Sequence, residues 1–320
     1  MTTIAVFGNW ASMPSADALR AALPDDHIVA VQGEELGPAA DAEAAFGGLS
    51  PERLRAVLAG APKLRWVHTF SAGVDRHVPE LAKYEQVLLT NNTGAYDIPI
   101  AEHVIAMIFA GAKRLPEHLA AQGRHEWQRE TLHAEIRGAT LVILGLGSIG
   151  SELARLAGGV GMRIIGVRRD VTRRDATPLP LDRIVSTDRF AEVVPEADYL
   201  AVTAALTPRT RGMVSDAILR ALKPTAWVIN IARGPIVDEV ALASALTEKR
   251  IGGAALDVFE TEPLPPESPL WSLDNAILTP HISNSSPLVR ERSLALVTEN
   301  VRRFKAGEPL LNLVDRTVGY

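Results

Sequence analysis

An arginine, a glutamate and a histidine are the residues in this chain best suited to chemistry, and each lies at or just beyond the carboxyl end of a short apolar run. Arg233 follows Asn230-Ile231-Ala232, Glu262 follows Leu256-Asp257-Val258-Phe259-Glu260-Thr261, and His281 follows Leu278-Thr279-Pro280. A guanidinium is a permanently charged fork that grips a carboxylate through two hydrogen bonds. An imidazole gives and takes a proton near neutral pH, and a carboxylate bonded to it fixes its orientation. Strand carboxyl ends are where open α/β sheets place ligands. Taken singly, each residue has an ordinary alternative: a surface arginine, a loop glutamate before Pro263, a capping or core histidine.

A second constellation suits a phosphate ligand. The strand-like run Leu141-Val142-Ile143-Leu144 feeds Gly145-Leu146-Gly147-Ser148-Ile149-Gly150, and a helical pattern follows. Gly145 permits the tight turn, Gly147 admits a pyrophosphate close to the backbone, and Gly150 lets helix and strand pack. The N–H groups of the first helical turn, around Ser148 and Ile149, then face the anion with a favourable dipole. In such sites the next strand usually ends in an acid that bonds a ribose hydroxyl. Here Met162 to Val167 is followed by Arg168-Arg169-Asp170-Val171-Thr172-Arg173-Arg174. Cations at that place suit a 2′-phosphate, which favours NADP(H) and leaves NAD(H) possible through Asp170. A solvated basic loop is the alternative.

The chain resembles the D-isomer-specific 2-hydroxyacid dehydrogenases along essentially its whole length. The resemblance rests on Ser71-Ala72-Gly73-Val74-Asp75, the stretch Asn92 to Glu102, the glycine turn, and the three segments around Arg233, Glu262 and His281 in that order, 29 and 19 residues apart. It implies that Arg233 holds the substrate carboxylate and polarises the reacting carbonyl. His281 donates a proton during reduction and takes it back during oxidation, and Glu262 orients the imidazole. The backbone N–H groups around Ala72 and Gly73 complete the carboxylate site. Ala232 and Asp257 are placed with the cofactor residues Gly145, Gly147, Ser148, Ile149, Gly150, Arg168 and Arg169, although Asp257 is equally a strand-end carboxylate accepting backbone hydrogen bonds. The D configuration rests on the resemblance alone. So does a homodimer formed through the helix from Ala101 to Leu119 and the arm reaching Trp127, whose apolar residues equally suit an ordinary core.

These groups need rigid elements to present them. Short apolar runs alternate with segments of helical periodicity from Ile4 to Val67, and a second such series runs from Leu141 to Leu256. This alternation predicts parallel sheets with helices on both faces. The expected architecture is therefore α/β with two doubly wound parallel-sheet domains, a Rossmann cofactor domain (99–283) inserted in a flavodoxin-like substrate domain (1–98 and 284–320). The turn-rich Asn92 to Pro99 marks the first crossing, and the final helical pattern, Leu288 to Phe304, returns the chain to the substrate domain.

Composition narrows the partners. The 320 residues contain no cysteine, which excludes disulfides, thiolate metal sites and a cysteine nucleophile. With no export signal at the N-terminus, it suggests a cytoplasmic protein. A net charge of −5 argues against nucleic acid, and the best apolar stretch, Val104 to Ala112, is too short to span a membrane. His118, His125 and His133 lack the close pairing of a helical zinc site, and no metal is expected.

Substrate identity is weakly encoded. Trp10, Phe70 and Tyr96 suit a pocket for bulky 2-keto acids, with core packing as the alternative; glyoxylate and hydroxypyruvate are the small candidates. Asp75 and Asp97 read as turn or cap residues, and Ala205 stands where many relatives carry proline. Two other readings stay open: a formate- or phosphite-type dehydrogenase, against which Glu262 counts because formate enzymes carry glutamine there, and a non-catalytic protein that senses dinucleotides.

Overall fold

The computed structural model describes residues 1–8, 13–32, 36–129, 132–172 and 177–319. The chain forms two compact units, one from Met1–Tyr96 with Ser285–Tyr320 and one from Asp97–Asn284.

The first unit is built on strands β1 (Thr3–Phe7), β2 (His27–Val31), β3 (Ala44–Gly47), β4 (Trp66–Thr69) and β5 (Leu88–Thr90). They pair in parallel in the order β2-β1-β3-β4-β5, the flavodoxin-like arrangement. Two apolar clusters cover the faces. One gathers Ala5, Val29, Leu54, Val67 and Leu89; the other gathers Ile4, Leu19, Phe46 and Trp66 with Val297 and Val301 from the last helix, Val289–Ala306. That helix is fastened by polar groups as well. Ser293 Oγ accepts the Asn92 amide at 2.8 Å, and the Asn300 side chain clasps the Leu311 backbone through both its amide atoms.

β3 was not evident from composition, because Ala44-Ala45-Phe46-Gly47 carries no β-branched residue. All four residues are buried in the middle of the sheet. A Cβ on Gly47 would stand 2.3 Å from the Phe7 carbonyl oxygen, so the absence of a side chain permits this approach to β1. Beside β3, His68 of β4 is fully buried, its Nδ1 2.8 Å from Thr90 Oγ1, which also accepts the Trp66 indole N–H at 2.8 Å. Burial pushes the His68 imidazole down to about pKa 3, against a small opposing contribution from Asn92.

The second unit is a seven-stranded sheet: β6 (Thr140–Leu144), β7 (Arg163–Arg168), β8 (Arg183–Ser186), β9 (Tyr199–Val202), β10 (Trp227–Asn230), β11 (Gly253–Leu256) and β12 (Ala276–Leu278). Their order is β12-β11-β10-β9-β6-β7-β8, all parallel. From β6 the chain winds outward through β7 and β8, then returns to β9 on the other side and winds the opposite way. This Rossmann order puts a topological switch point between β6 and β9, where ligands bind beyond the strands' carboxyl ends. Every residue of β6, β9 and β11 is buried, as central strands covered on both faces require. No helix among the described residues is long and apolar enough to cross a membrane.

Candidate active site

The glycine turn lies at the switch point. Gly145 leaves β6 at φ +106°, and a Cβ there would fall 2.4 Å from the Ala204 nitrogen just past β9. Thr203 Oγ1 donates to the Gly145 carbonyl at 2.6 Å and locks the turn to β9. A Cβ on Gly150 would stand 2.3 Å from that same carbonyl, so the helix Ser148–Gly159 starts as close to the strand as backbone allows. Gly147 differs from both. Its φ is −91°, and a Cβ would meet nothing within 4 Å. Its bareness leaves open space before the first-turn N–H groups of Ser148, Ile149 and Gly150, which have no intrahelical acceptor. The cradle fits a pyrophosphate.

On β7, Gly166 and Arg168 share a face by strand alternation. Gly166 packs under Leu146 of the turn, where a Cβ would lie 2.9 Å from a Leu146 methyl. Arg168 is 7% exposed and pairs in register with Ser186 of β8. Arg169 and Asp170 lie beyond the strand, and both are exposed. Asp170 caps its own turn by accepting the Thr172 N–H and hydroxyl. Arg173 and Arg174 lie outside the described residues, as does Trp10.

Three loops carry the acid-binding and proton-moving candidates, all in the second unit. After β10, the Asn230 side chain braces its loop, accepting the Ala232 N–H at 3.1 Å and donating to the Arg233 carbonyl at 3.0 Å. Arg233 is half-buried, and one guanidinium N–H donates to the Ala232 carbonyl. Gly234 then meets the loop after β11 backbone to backbone, where a Cβ would overlap the Phe259 carbonyl carbon at 1.9 Å. The loops bearing Arg233 and Glu262 are thus packed against each other without an intervening side chain. Glu262 accepts the Phe259 N–H at 3.1 Å through one oxygen and holds His281 Nδ1 at 2.8 Å through the other. His281 keeps 41% of its side-chain surface exposed.

Asp257 follows β11 and is 1% exposed. Of the two readings its sequence position allowed, the structure shows the second: its carboxylate accepts the Thr279 hydroxyl at 2.6 Å and the N–H groups of Ile282 and Ser283 at 2.9 and 3.0 Å. It grips the turn on which His281 sits. His281 itself is in the left-handed region, at φ +54°. His103, which sequence reading passed over, approaches Thr279 Oγ1 at 3.3 Å from the helix Asp97–Ala112. A histidine beside Glu102 on a helix that is mostly apolar was the available signal.

In the first unit, the Ala72 carbonyl accepts the Asn91 amide at 2.9 Å, and the Asn92 N–H bonds the Ser71 carbonyl. The N–H groups of Ala72 and Gly73 have no acceptor among the described residues. Phe70 and Tyr96 do not line a pocket. Both are about 2% exposed, and the Tyr96 hydroxyl donates to the Phe70 carbonyl; the packing alternative holds because the apolar core claims the rings and a backbone acceptor satisfies the hydroxyl. In the second unit, the loop around Ala205 is held by Thr210, whose hydroxyl donates to the Ala205 carbonyl at 2.7 Å, a restraint standing where relatives use a proline ring. His118 and His133, far apart in sequence, meet Nε2 to Nε2 at 2.9 Å on the surface. No group of three potential metal ligands occurs among the described residues.

Residues 105–283 match the family described as D-isomer specific 2-hydroxyacid dehydrogenase, NAD binding domain. The chain belongs to the D-isomer specific 2-hydroxyacid dehydrogenase family. Among the family's members, it is 35% identical over 272 residues to a glyoxylate reductase of Korarchaeum cryptofilum, covering 82% of this chain and 79% of that one. A D-isomer specific 2-hydroxyacid dehydrogenase from Xanthobacter autotrophicus Py2, solved with NADPH and MES, superposes with a TM-score of 0.84 at 30% identity over the whole of both chains. An NADPH-dependent glyoxylate/hydroxypyruvate reductase from Sinorhizobium meliloti, solved with NADP and sulfate, gives the same TM-score at 26% identity, again over both whole chains. Family membership accounts for the pairing of a glycine cradle at the switch point with an Arg, Glu and His on neighbouring strand-end loops.

Proposed function

We propose that this member of the family interconverts a 2-keto acid and its D-2-hydroxy acid, with NADP(H) favoured and NAD(H) possible. The observation that carries the reading is the 2.8 Å contact between His281 Nδ1 and Glu262, whose loop is packed against the one that bears Arg233.

An ionised glutamate only accepts, so Nδ1 of His281 carries the proton of that bond and Nε2 is the nitrogen left for substrate. With both nitrogens protonated, Nε2–H donates to the carbonyl oxygen as it becomes an alkoxide, and in the reverse direction neutral Nε2 takes the hydroxyl proton. Glu262 keeps the ring in this tautomer and offsets its charge. Arg233 binds the carboxylate and polarises the carbonyl, and the N–H groups of Ala72 and Gly73, with no acceptor among the described residues, suit an anion. A nicotinamide bound with its pyrophosphate on Gly145, Gly147, Ser148, Ile149 and Gly150 supplies the hydride. Ala232, on the loop that bears Arg233, stays a candidate for the cofactor, and Asp257 acts through the turn that it holds.

Arg169, exposed just past β7, is the better placed of the two arginines for a 2′-phosphate, with Arg168 buried on the cradle's side of the sheet. The NADPH and NADP complexes of the two structural relatives support this preference. Glyoxylate and hydroxypyruvate lead as substrates, with bulkier 2-keto acids next. A homodimer is supported by apolar groups along the helix Leu115–Gly123 and the following arm: Leu119 is 64%, Trp127 89% and Leu132 94% exposed. The cysteine-free composition supports a cytoplasmic location.

The test is a panel of NADPH and NADH oxidation with glyoxylate, hydroxypyruvate, pyruvate, phenylpyruvate and branched 2-keto acids, with product chirality determined. His281→Ala should lower kcat by about 10² to 10⁴, the range for a lost general acid. Undiminished turnover in that variant, or no turnover of any 2-keto acid by the wild type, overturns the reading.

A further inference from the structure

His281, at φ +54°, occupies a backbone region that disfavours side-chain-bearing residues, and such a conformation persists only where its surroundings over-determine it. The restraints here converge on one carboxylate. Asp257 collects the Thr279 hydroxyl, two residues before His281, and the N–H groups of Ile282 and Ser283, one and two residues after it. The His281 N–H closes back onto the Thr279 carbonyl at 3.0 Å, and the Thr279 N–H is held by the Leu256 carbonyl at 2.9 Å. Thr279 is thus the only residue of the turn bonded to Asp257 through a side chain, and the only one bonded to Asp257, to β11 and to His281 together.

The direction of these bonds is fixed by chemistry. An ionised Asp257 only accepts, so the single Thr279 hydroxyl proton is committed to it. The oxygen of that hydroxyl is then an acceptor, and His103 Nε2, 3.3 Å away, faces it with its N–H. Burial of His103 lowers its pKa, with the nearby Asp257 charge acting in the opposite direction, in keeping with a neutral imidazole whose one proton is on Nε2. The result is a directed chain from helix Asp97–Ala112 through Thr279 to Asp257, ending on the turn that presents His281.

We propose that the Thr279 hydroxyl, backed by His103, is the positioning group for the His281 imidazole. It touches no reacting atom; it acts by holding Asp257 where that carboxylate can grip both sides of the turn. The proposal rests on the role given to His281 above.

The experiment compares wild type, Thr279→Val, Thr279→Ser, His103→Phe and His281→Ala, and adds Thr279→Val in the His281→Ala background. Residue-resolved amide exchange at Ile282 and Ser283 reads the turn without reference to catalysis. Thr279→Val should speed exchange at these two amides by about tenfold or more, His103→Phe by about threefold, and Thr279→Ser should restore the wild-type rate. In turnover, Thr279→Val should lower kcat by about tenfold with NADPH affinity held within about twofold, and it should cost nothing further once His281 is alanine. Unchanged exchange and kcat in Thr279→Val, or an equal loss of rate in the His281→Ala background, overturns the proposal. Should the wild type fail to turn over any 2-keto acid, the catalytic reading falls, and exchange at Ile282 and Ser283 still decides the positioning claim.

Discussion

In the proposed reaction, single side chains divide the work between holding an acid and moving a proton, and the two tasks respond differently to substitution. Glu262 bonds both the Phe259 N–H and His281, so Glu262→Gln keeps the shape while removing the charge that favours Nδ1 as donor. Its expected effect, measured in the direction of hydroxy-acid oxidation, is a fall in kcat of about tenfold or more with little change in KM, because charge then develops on the imidazole as it takes the hydroxyl proton; a change confined to KM would place Glu262 in ground-state binding instead. Arg169→Ala should weaken NADPH by about 10- to 100-fold, equivalent to one charged hydrogen-bonded contact, and leave NADH almost unchanged. Equal losses for both cofactors in a titration would remove Arg169 from the phosphate. The placement of Arg233, Glu262 and His281 on strand-end loops was legible in the sequence because each follows a short apolar run; the Glu262–His281 contact was not, since it joins residues 19 apart. Asp257 was only half legible, since nothing in a linear sequence says that its partners are the backbone of residues 282 and 283. The aromatic residues misled for a related reason: whether Phe70 and Tyr96 face a pocket or a core depends on packing between distant segments.

At the level of the strand, turn and helix, three glycines of one motif do different physical jobs, and two alanine substitutions tell these apart. Gly145→Ala puts a Cβ at φ +106° and 2.4 Å from the Ala204 backbone, so the turn must shift, and both the melting temperature and dinucleotide affinity should drop. Gly147→Ala meets no protein atom within 4 Å. It should leave the melting temperature within a degree or so of wild type and weaken NADPH by about tenfold, because only the approaching pyrophosphate feels the added methyl. Calorimetry and a fluorescence titration separate the two, and a stability loss at Gly147 matching that at Gly145 would contradict the assignment of open space. The long β-branched runs of β6, β7 and β10 were plain in the sequence. β3, β5 and β8 were not. Ala44-Ala45-Phe46-Gly47 is a strand because its neighbours on both sides bury it, and a three-residue strand such as Leu88–Thr90 is too short to show periodicity.

On the scale of the whole chain, stability should depend on pH through His68. Its imidazole is neutral in the folded state down to about pH 3, whereas in the unfolded chain it protonates near 6.5. Above 6.5 neither state takes the proton and His68 has no effect. Between the two values the unfolded state alone binds it, so folding weakens as pH falls, by roughly 1.4 kcal/mol per unit, or about 2 kcal/mol by pH 5. Denaturant unfolding of wild type and His68→Gln should converge as the buffer is acidified from neutral to pH 5; a gap independent of pH would show that His68 does not set the acid limit. The two-unit plan was evident from the doubled α/β alternation, and the return of the last helix from its apolar pattern. The polar fastening of that helix, through Asn92 to Ser293 and Asn300 to Leu311, was hidden because its partners are separated by up to 201 residues. That fastening has a consequence during synthesis. A chain emerging from the ribosome presents β1 to β5 early, but the helix that covers one face of their sheet arrives only after the 188 residues between Tyr96 and Ser285 have been made. At about 5–20 residues per second the nascent sheet waits roughly 10–40 seconds with Phe46 and Trp66 uncovered, while the inserted Rossmann unit has its whole sequence and is free to finish first. Of the two units, the one begun earlier is completed later, and its exposed apolar face is where a chaperone would have its longer opportunity to bind.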